Sequence, residues 1–301
     1  MAILGAGSMG RLWAARLAGR SVVFLPRPGR RPDHPLSYRF QPFQGEAFTV
    51  RIPWLAANET PDLLLVTTKA GDTLPALTAA LPQLPETTPV VLFQNGLGSQ
   101  QQVADTWPER PILAATTTEG ANRPEPDLTI HAGTGETHVG ALTRRGGEAL
   151  AEVVAQLQGS GLTVHAETDI LARLWRKLVI NAGINPFTAL LDCPNGDLLR
   201  QPMFLQWIGP LCRETATLMA AAGQSTPSPE SLRQSIEQVA RATAGNTSSM
   251  RADVLAGRPT EIDYINGYLT ALGQQLGIAT PVNQMLTEQV KQLDGSLTNG
   301  S

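Results

Sequence analysis

The chain has 301 residues, 42% of them hydrophobic and 16% charged, and a net charge of -3. That length suits two domains, and the composition is not that of a disordered chain; no apolar run reaches the ~20 residues of a membrane helix. The near-neutral charge, with its basic residues scattered, gives no field to hold a polyanion, so nucleic acid is not an expected partner.

The first half alternates short apolar runs with helical patterns, the signature of βαβ units on a parallel sheet. Ala2 to Leu4 reads as a strand, Met9 to Ala18 as a helix and Ser21 to Leu25 as a second strand. From Pro26 to Phe48 proline and arginine accumulate, which predicts an irregular surface loop. Leu63 to Thr67 and Val90 to Phe93 are unbroken apolar runs, expected as strands buried on both faces. Residues from about Leu113 to Gly140 read as short alternating strands completing the same sheet. From Asp169 onward apolar residues recur at helical spacing, as in Leu171, Leu174, Trp175, Leu178 and Val179, and again in Leu211, Leu218, Ile262 and Leu269. An α/β domain over 1–166 and a helical domain over 167–301 follow, with a tail fraying from Asp294.

Cys193 and Cys212 lack pair spacing and read as small buried hydrophobes in a reducing compartment. Residues 1–10 carry no basic segment ahead of an apolar one, so no secretory signal is expected and the cytoplasm is the expected location. His34, His131, His138 and His165 lack ligand spacing and read as structural, so no metal is expected.

Gly5-Ala6-Gly7-Ser8-Met9-Gly10 fills the three glycine positions of GxGxxG between a strand and a helix. The first glycine permits a tight turn, the second lets a pyrophosphate approach the backbone, and the third allows helix to pack on strand. A dinucleotide is the expected ligand. An enzyme using NAD carries an acid at the end of the second strand, whereas here Pro26, Arg27, Arg30 and Arg31 follow Leu25, a set that favours the 2′-phosphate of NADPH with Arg27 leading. A solvated basic loop would have the same composition.

Lys177, Asn181 and Asn185 stand at successive i, i+4 positions and share one helix face. Leu174, Trp175 and Leu178 beside them predict a partly dry cleft in which desolvation lowers the lysine pKa. Pro186 is expected to end or bend the helix, leaving Asn185 and the Cys193-Pro194-Asn195-Gly196 turn facing one space. An exposed polar stripe would read the same way. Asn246 to Met250 and Thr260 to Gly267 set hydroxyls and carboxylates at the start of another helix, where Thr260 is suited to N-capping and Glu261 to the first turn.

Through GAGSMG, LLLVTTKA, QNGLGS, ATTTEGA, LWRKLVINAGINP, CPNG, NTSSM and TEIDYING, the chain resembles ketopantoate reductases over nearly its whole length. The resemblance implies an N-terminal Rossmann domain binding NADP and an all-α C-terminal domain like that of 6-phosphogluconate dehydrogenase, with the active site between them. It implies Lys177 as the catalytic lysine and Glu261 as the active-site glutamate, with Asn181, Asn185 and Ser249 on the substrate and Asn195 and Ser248 as lesser candidates. Lys69 and Asn95 match positions facing the nicotinamide half, and Arg27 matches the arginine on the 2′-phosphate. The implied reaction is NADPH-dependent reduction of 2-dehydropantoate to pantoate, a step of pantothenate biosynthesis, by a monomer or homodimer. The rivals are a reductase of another keto acid, a non-catalytic NADP-binding redox sensor, and an S-adenosylmethionine enzyme, which would need an acid where Pro26 and Arg27 stand.

Overall fold

The computed structural model describes residues 1–27, 29, 32–56, 59–225 and 227–298, with side chains through residue 293. The chain divides into two units, one of Met1–Gln94 with Ser99–Arg173 and one of Asn95–Gly98 with Leu174–Ser301. The described strands are β1 (Ala2–Leu4), β2 (Val23–Phe24), β3 (Leu36–Gln41), β4 (Phe48–Ile52), β5 (Leu64–Val66) and β6 (Val90–Leu92). They continue as β7 (Ile112–Thr117), β8 (Gly120–Glu125), β9 (Leu128–Gly133), β10 (Glu136–Ala141) and β11 (Thr163–Ala166). Helices of the first unit are α1 (Ser8–Arg16), α2 (Ala70–Ala80), α3 (Ser99–Thr106) and α4 (Arg144–Gln158).

Seven strands form one sheet in the order β11-β10-β7-β6-β5-β1-β2, with β10 antiparallel to β7 and the neighbouring pairs otherwise parallel. Register sorts the side chains by face. Ala2, Leu64, Val90 and Ile112 align across four strands and enter a core with Leu77 and Ala80 of α2 and Val103 of α3. Ile3, Leu65, Val91 and Leu113, one residue on, enter a second core with Leu12 and Trp13 of α1 and Val153 and Leu157 of α4. The unbroken apolar runs therefore reflect burial on both faces, each large aliphatic side chain contributing about 1.5–3 kcal/mol.

A second sheet, in the order β4-β3-β9-β8, corrects two expectations. The stretch from Pro26 to Phe48 is not all loop: Leu36–Gln41 is β3, whose Tyr38 and Phe40 turn inward while Ser37 and Arg39 face solvent. Its Tyr38 and Phe40, with Val50 and Ile52 of β4, join the core that holds α1. Nor do all strands of 113–140 complete the first sheet, since β8 and β9 pair with each other and β9 with β3. Pro124 in β8 is tolerated because that strand lies at a sheet edge.

The second unit is helical, as expected, built on α5 (Ile170–Leu190), α6 (Pro202–Ala221), α7 (Pro229–Ala242), α8 (Ser249–Leu255), α9 (Asn266–Leu276) and α10 (Pro281–Thr298). The division between units falls inside α5, after Arg173. Of the two outcomes expected at Pro186, an end to the helix is not found: α5 runs through it to Leu190. Proline lacks the N–H that would bond the carbonyl four residues back. That carbonyl, of Ala182, instead accepts from the Asn266 amide at 3.3 Å, so the helix continues with its freed acceptor satisfied. Nor does Glu261 lie in the first turn of a long helix: it precedes a 3-10 turn over Ile262–Tyr264, and α9 starts only at Asn266. The tail expected to fray from Asp294 has helical backbone to Thr298, carried by the apolar stripe of Val282, Leu286 and Val290; residues 299–301 lie outside the described residues. Cys193 and Cys212 are buried free thiols. Among the described residues, no helix is long and apolar enough to cross a membrane.

Candidate active site

The glycine-rich turn of the first unit joins β1 to α1. Gly5 takes φ +108°, and a Cβ there would stand 2.8 Å from the Thr68 nitrogen, so neither conformation nor space admits a side chain. A Cβ on Gly10 would collide with the Gly5 carbonyl oxygen, which fixes how closely α1 packs on the turn. Gly7, the N-cap of α1, differs: a Cβ on it would meet nothing within 4 Å. The middle glycine thus opens on free space over a helix N-terminus with unpaired N–H groups, a fit for the pyrophosphate of a dinucleotide. Thr67 on the neighbouring strand end donates to the Gly5 carbonyl at 2.7 Å, and Lys69 is the N-cap of α2, part-exposed. Arg27 is exposed three residues past β2 with no acid between them; Arg30 and Arg31 lie outside the described residues.

Two further cations reach this turn that the sequence did not single out. Arg11, 7% exposed, donates from Nε to the Ala6 carbonyl at 3.1 Å and from a terminal nitrogen to Pro126 at 2.7 Å. Its guanidinium lies 5.1 Å from the centre of the Tyr38 ring, and the Tyr38 hydroxyl donates back to the Arg11 carbonyl at 2.6 Å. Arg123 reaches the same Ala6 carbonyl at 3.5 Å. Burial, and then the charge of Arg123, push the Arg11 pKa down.

In the second unit Lys177, Asn181 and Asn185 do follow one another along α5. Lys177 keeps some solvent contact, yet protein surrounds its ammonium closely enough that desolvation lowers the pKa to about 8, with the Glu261 carboxylate opposing that shift. Asn95 donates to Glu261 at 3.0 Å, so lysine, glutamate and asparagine form one cluster. The 95–98 segment is held there by backbone: Leu97 N–H donates to the Tyr264 carbonyl at 2.9 Å. Gly96 takes φ +79° and lies so close that a Cβ would collide with that carbonyl.

Asn185 is buried, Asn181 part-exposed. Thr188 joins Ser248 by a 2.7 Å hydroxyl pair, and Ser248 accepts from the Arg251 N–H as the cap of α8. Ser248 is therefore structural in its contacts, while Ser249 beside it is exposed. Asn195 is buried and donates to Thr243 at 2.9 Å; its turn is pinned by backbone hydrogen bonds to the Asn246 and Ala244 carbonyls. Asn266 was missed as a positioning residue. Its signal was Pro186, which had to leave an orphan carbonyl on the helix that carries Lys177. The histidines have other partners: His131 pairs with Glu119 at 2.6 Å, and His138 stacks on His165.

The family described as Ketopantoate reductase PanE/ApbA matches residues 1–144, and its C-terminal counterpart matches 169–294. A 2-dehydropantoate 2-reductase of Vibrio cholerae is 37% identical, covering 98% of this chain and 97% of its own. One of Shigella flexneri is 39% identical over 96% and 93%. Among solved structures, D-mandelate dehydrogenase with NADH and anilino(oxo)acetate has a TM-score of 0.87 at 25% identity over 99% of both chains. A PanE/ApbA family ketopantoate reductase from Ralstonia eutropha has a TM-score of 0.84 at 25% identity over 99% of this chain and 100% of that one.

Proposed function

Because this chain belongs to the ketopantoate reductase family, we propose that it reduces the ketone of 2-dehydropantoate to the alcohol of pantoate with NADPH. The observation that carries the chemistry is the lysine with its pKa lowered to about 8 beside a carboxylate. A donor with that pKa is largely protonated at neutral pH yet gives up its proton readily. Bound NADPH supplies the hydride for the ketone carbon. Lys177 hydrogen-bonds the ketone oxygen and transfers a proton from Nζ to it as negative charge develops. Glu261 keeps Lys177 charged and accepts the substrate's primary hydroxyl, while the Asn95 amide fixes which way that carboxylate faces. Asn181 and Asn185 orient the lysine and the substrate, Ser249 takes the substrate carboxylate, and Asn195 is a lesser contact. On the cofactor, the Gly5–Gly10 turn with Ala6, Ser8 and Met9 holds the pyrophosphate, Lys69 lies on the nicotinamide side and Arg27 reads the 2′-phosphate.

The likeness to an NADH-bound mandelate enzyme favours one second reading, a reductase of another 2-keto acid. Initial rates followed by nicotinamide absorbance decide, using 2-dehydropantoate and the keto acid of mandelate, each with NADPH and NADH. We expect 2-dehydropantoate with NADPH to be fastest and Lys177→Ala to lose about 10²–10⁴-fold in kcat. Faster turnover of the aromatic keto acid would move the assignment to the second reading; no turnover of either would overturn both.

A further inference from the structure

Among the described residues, neither guanidinium behind the glycine-rich turn makes a close ion pair, and the Asp127 carboxylate acts on Arg11 only as a weaker attraction than the burial and the Arg123 charge that oppose it. Arg11 is buried on two carbonyl oxygens and a tyrosine face, and Arg123 shares one of those oxygens. The nearby acids, Glu125 and Asp127, are engaged by Arg39 at 3.1 and 3.9 Å. Two like charges converging on a single neutral atom repel, and burying a cation without an anion is costly. An anion brought near the turn would offset part of that cost.

We propose that Arg11 and Arg123 form a cationic clamp on the Ala6–Gly7 peptide that anchors the cofactor's pyrophosphate from behind the turn. In a trans peptide the carbonyl and the following N–H point in opposite directions. With its oxygen held by two cations, the Ala6 carbonyl directs the Gly7 N–H the other way, and the open space over Gly7 is where a phosphate oxygen can come. The clamp also polarises that peptide, and its own charge adds an attraction for an anion on the far side of the turn. Arg11 is the fixed member, locked by Tyr38 and Pro126; part-exposed Arg123 is the member that can be changed without opening the core. This rests on the reading of the turn as a dinucleotide site.

The test is calorimetric titration of the intact chain with NADP⁺ and, separately, with 2′-AMP, which carries the 2′-phosphate but no pyrophosphate. In Arg123→Ala the Kd for NADP⁺ should rise about tenfold and depend less on KCl, as removal of one charge near the phosphates requires. Arg123→Lys should recover most of that loss, and 2′-AMP should shift by less than about twofold. An unchanged Kd for NADP⁺, or an equal loss for 2′-AMP, overturns the clamp while leaving the proposed reaction standing. A wild type that binds no nicotinamide dinucleotide overturns both.

Discussion

Replacing Glu261 by glutamine keeps the shape of the cluster and removes its charge. Desolvation draws the Lys177 pKa down to about 8 and Glu261 holds it up. An adjacent opposite charge in a protein typically holds a group's charged form by about 1–3 pKa units. Residual solvent at Lys177 trims this to about 1.5 units, so the variant's lysine should titrate near ~6.5. Protonated Lys177 is the donor; kcat for ketone reduction is full below its pKa and falls as pH rises through it. At about pH 7.5 the protonated fraction drops from about three quarters to about a tenth, an expected kcat loss of about eightfold that nearly vanishes by about pH 5.5. Saturating initial rates with NADPH from about pH 5.5 to 9.5 measure both limbs. A descending limb that stays near 8 in Glu261→Gln, or a kcat loss equal at every pH, refutes the reasoning.

The same lysine makes a prediction about stability. Its pKa is about 8 when folded, against the ordinary lysine value of 10.5, so the unfolded chain binds more protons between those values and stability rises with pH across that window. Below about pH 8 the folded state carries the full cost, about 2–3 kcal/mol after allowance for solvent. Lys177→Met should therefore abolish turnover yet raise Tm at about pH 7, with the gap closing towards about pH 10.5; calorimetry showing no gain at neutral pH would argue against a desolvated ammonium. In the glycine-rich turn, Gly7→Ala should leave Tm within about 2 °C and weaken NADPH binding about tenfold, because its Cβ enters space the phosphate needs. Gly10→Ala, which collides with the Gly5 carbonyl, should lower stability by about 3 kcal/mol or more; thermal melts in which the two behave alike would contradict this division of roles.

The parallel strands and the glycine-rich turn were legible because they are local signals: apolar runs bounded by proline or polar residues, and glycines at fixed offsets. The second sheet was not. Leu36–Gln41 does alternate, with Tyr38 and Phe40 inward, but it follows so much proline and arginine that local composition reads as loop. Residues 120–133 carry the pattern of strands but nothing that says which sheet they join, since strand type is local and strand partner is not. At the candidate site, the i, i+4 spacing of Lys177, Asn181 and Asn185 and the drop in the lysine's pKa could be read from neighbours on one helix. That Asn95 would meet Glu261, 166 residues away, had no local signature, and neither did the capture of the Ala182 carbonyl by Asn266.

The four residues 95–98 bear on how this protein can be taken apart. They lie in the sequence between the strand β6 and the helix α3, yet they group with the helical residues, pinned by Leu97 and by the close fit of Gly96 on Tyr264. No single cut in the polypeptide separates the halves cleanly. A fragment ending near Arg173 would keep Asn95 and lose the carboxylate it addresses, and one beginning at Leu174 would keep Glu261 and lose Asn95. Swapping either half for that of a relative would make the same bond depend on residues from two different parents. The QNGLG and TEIDYING segments are therefore one unit for recombination, a linkage that the order of residues along the chain conceals.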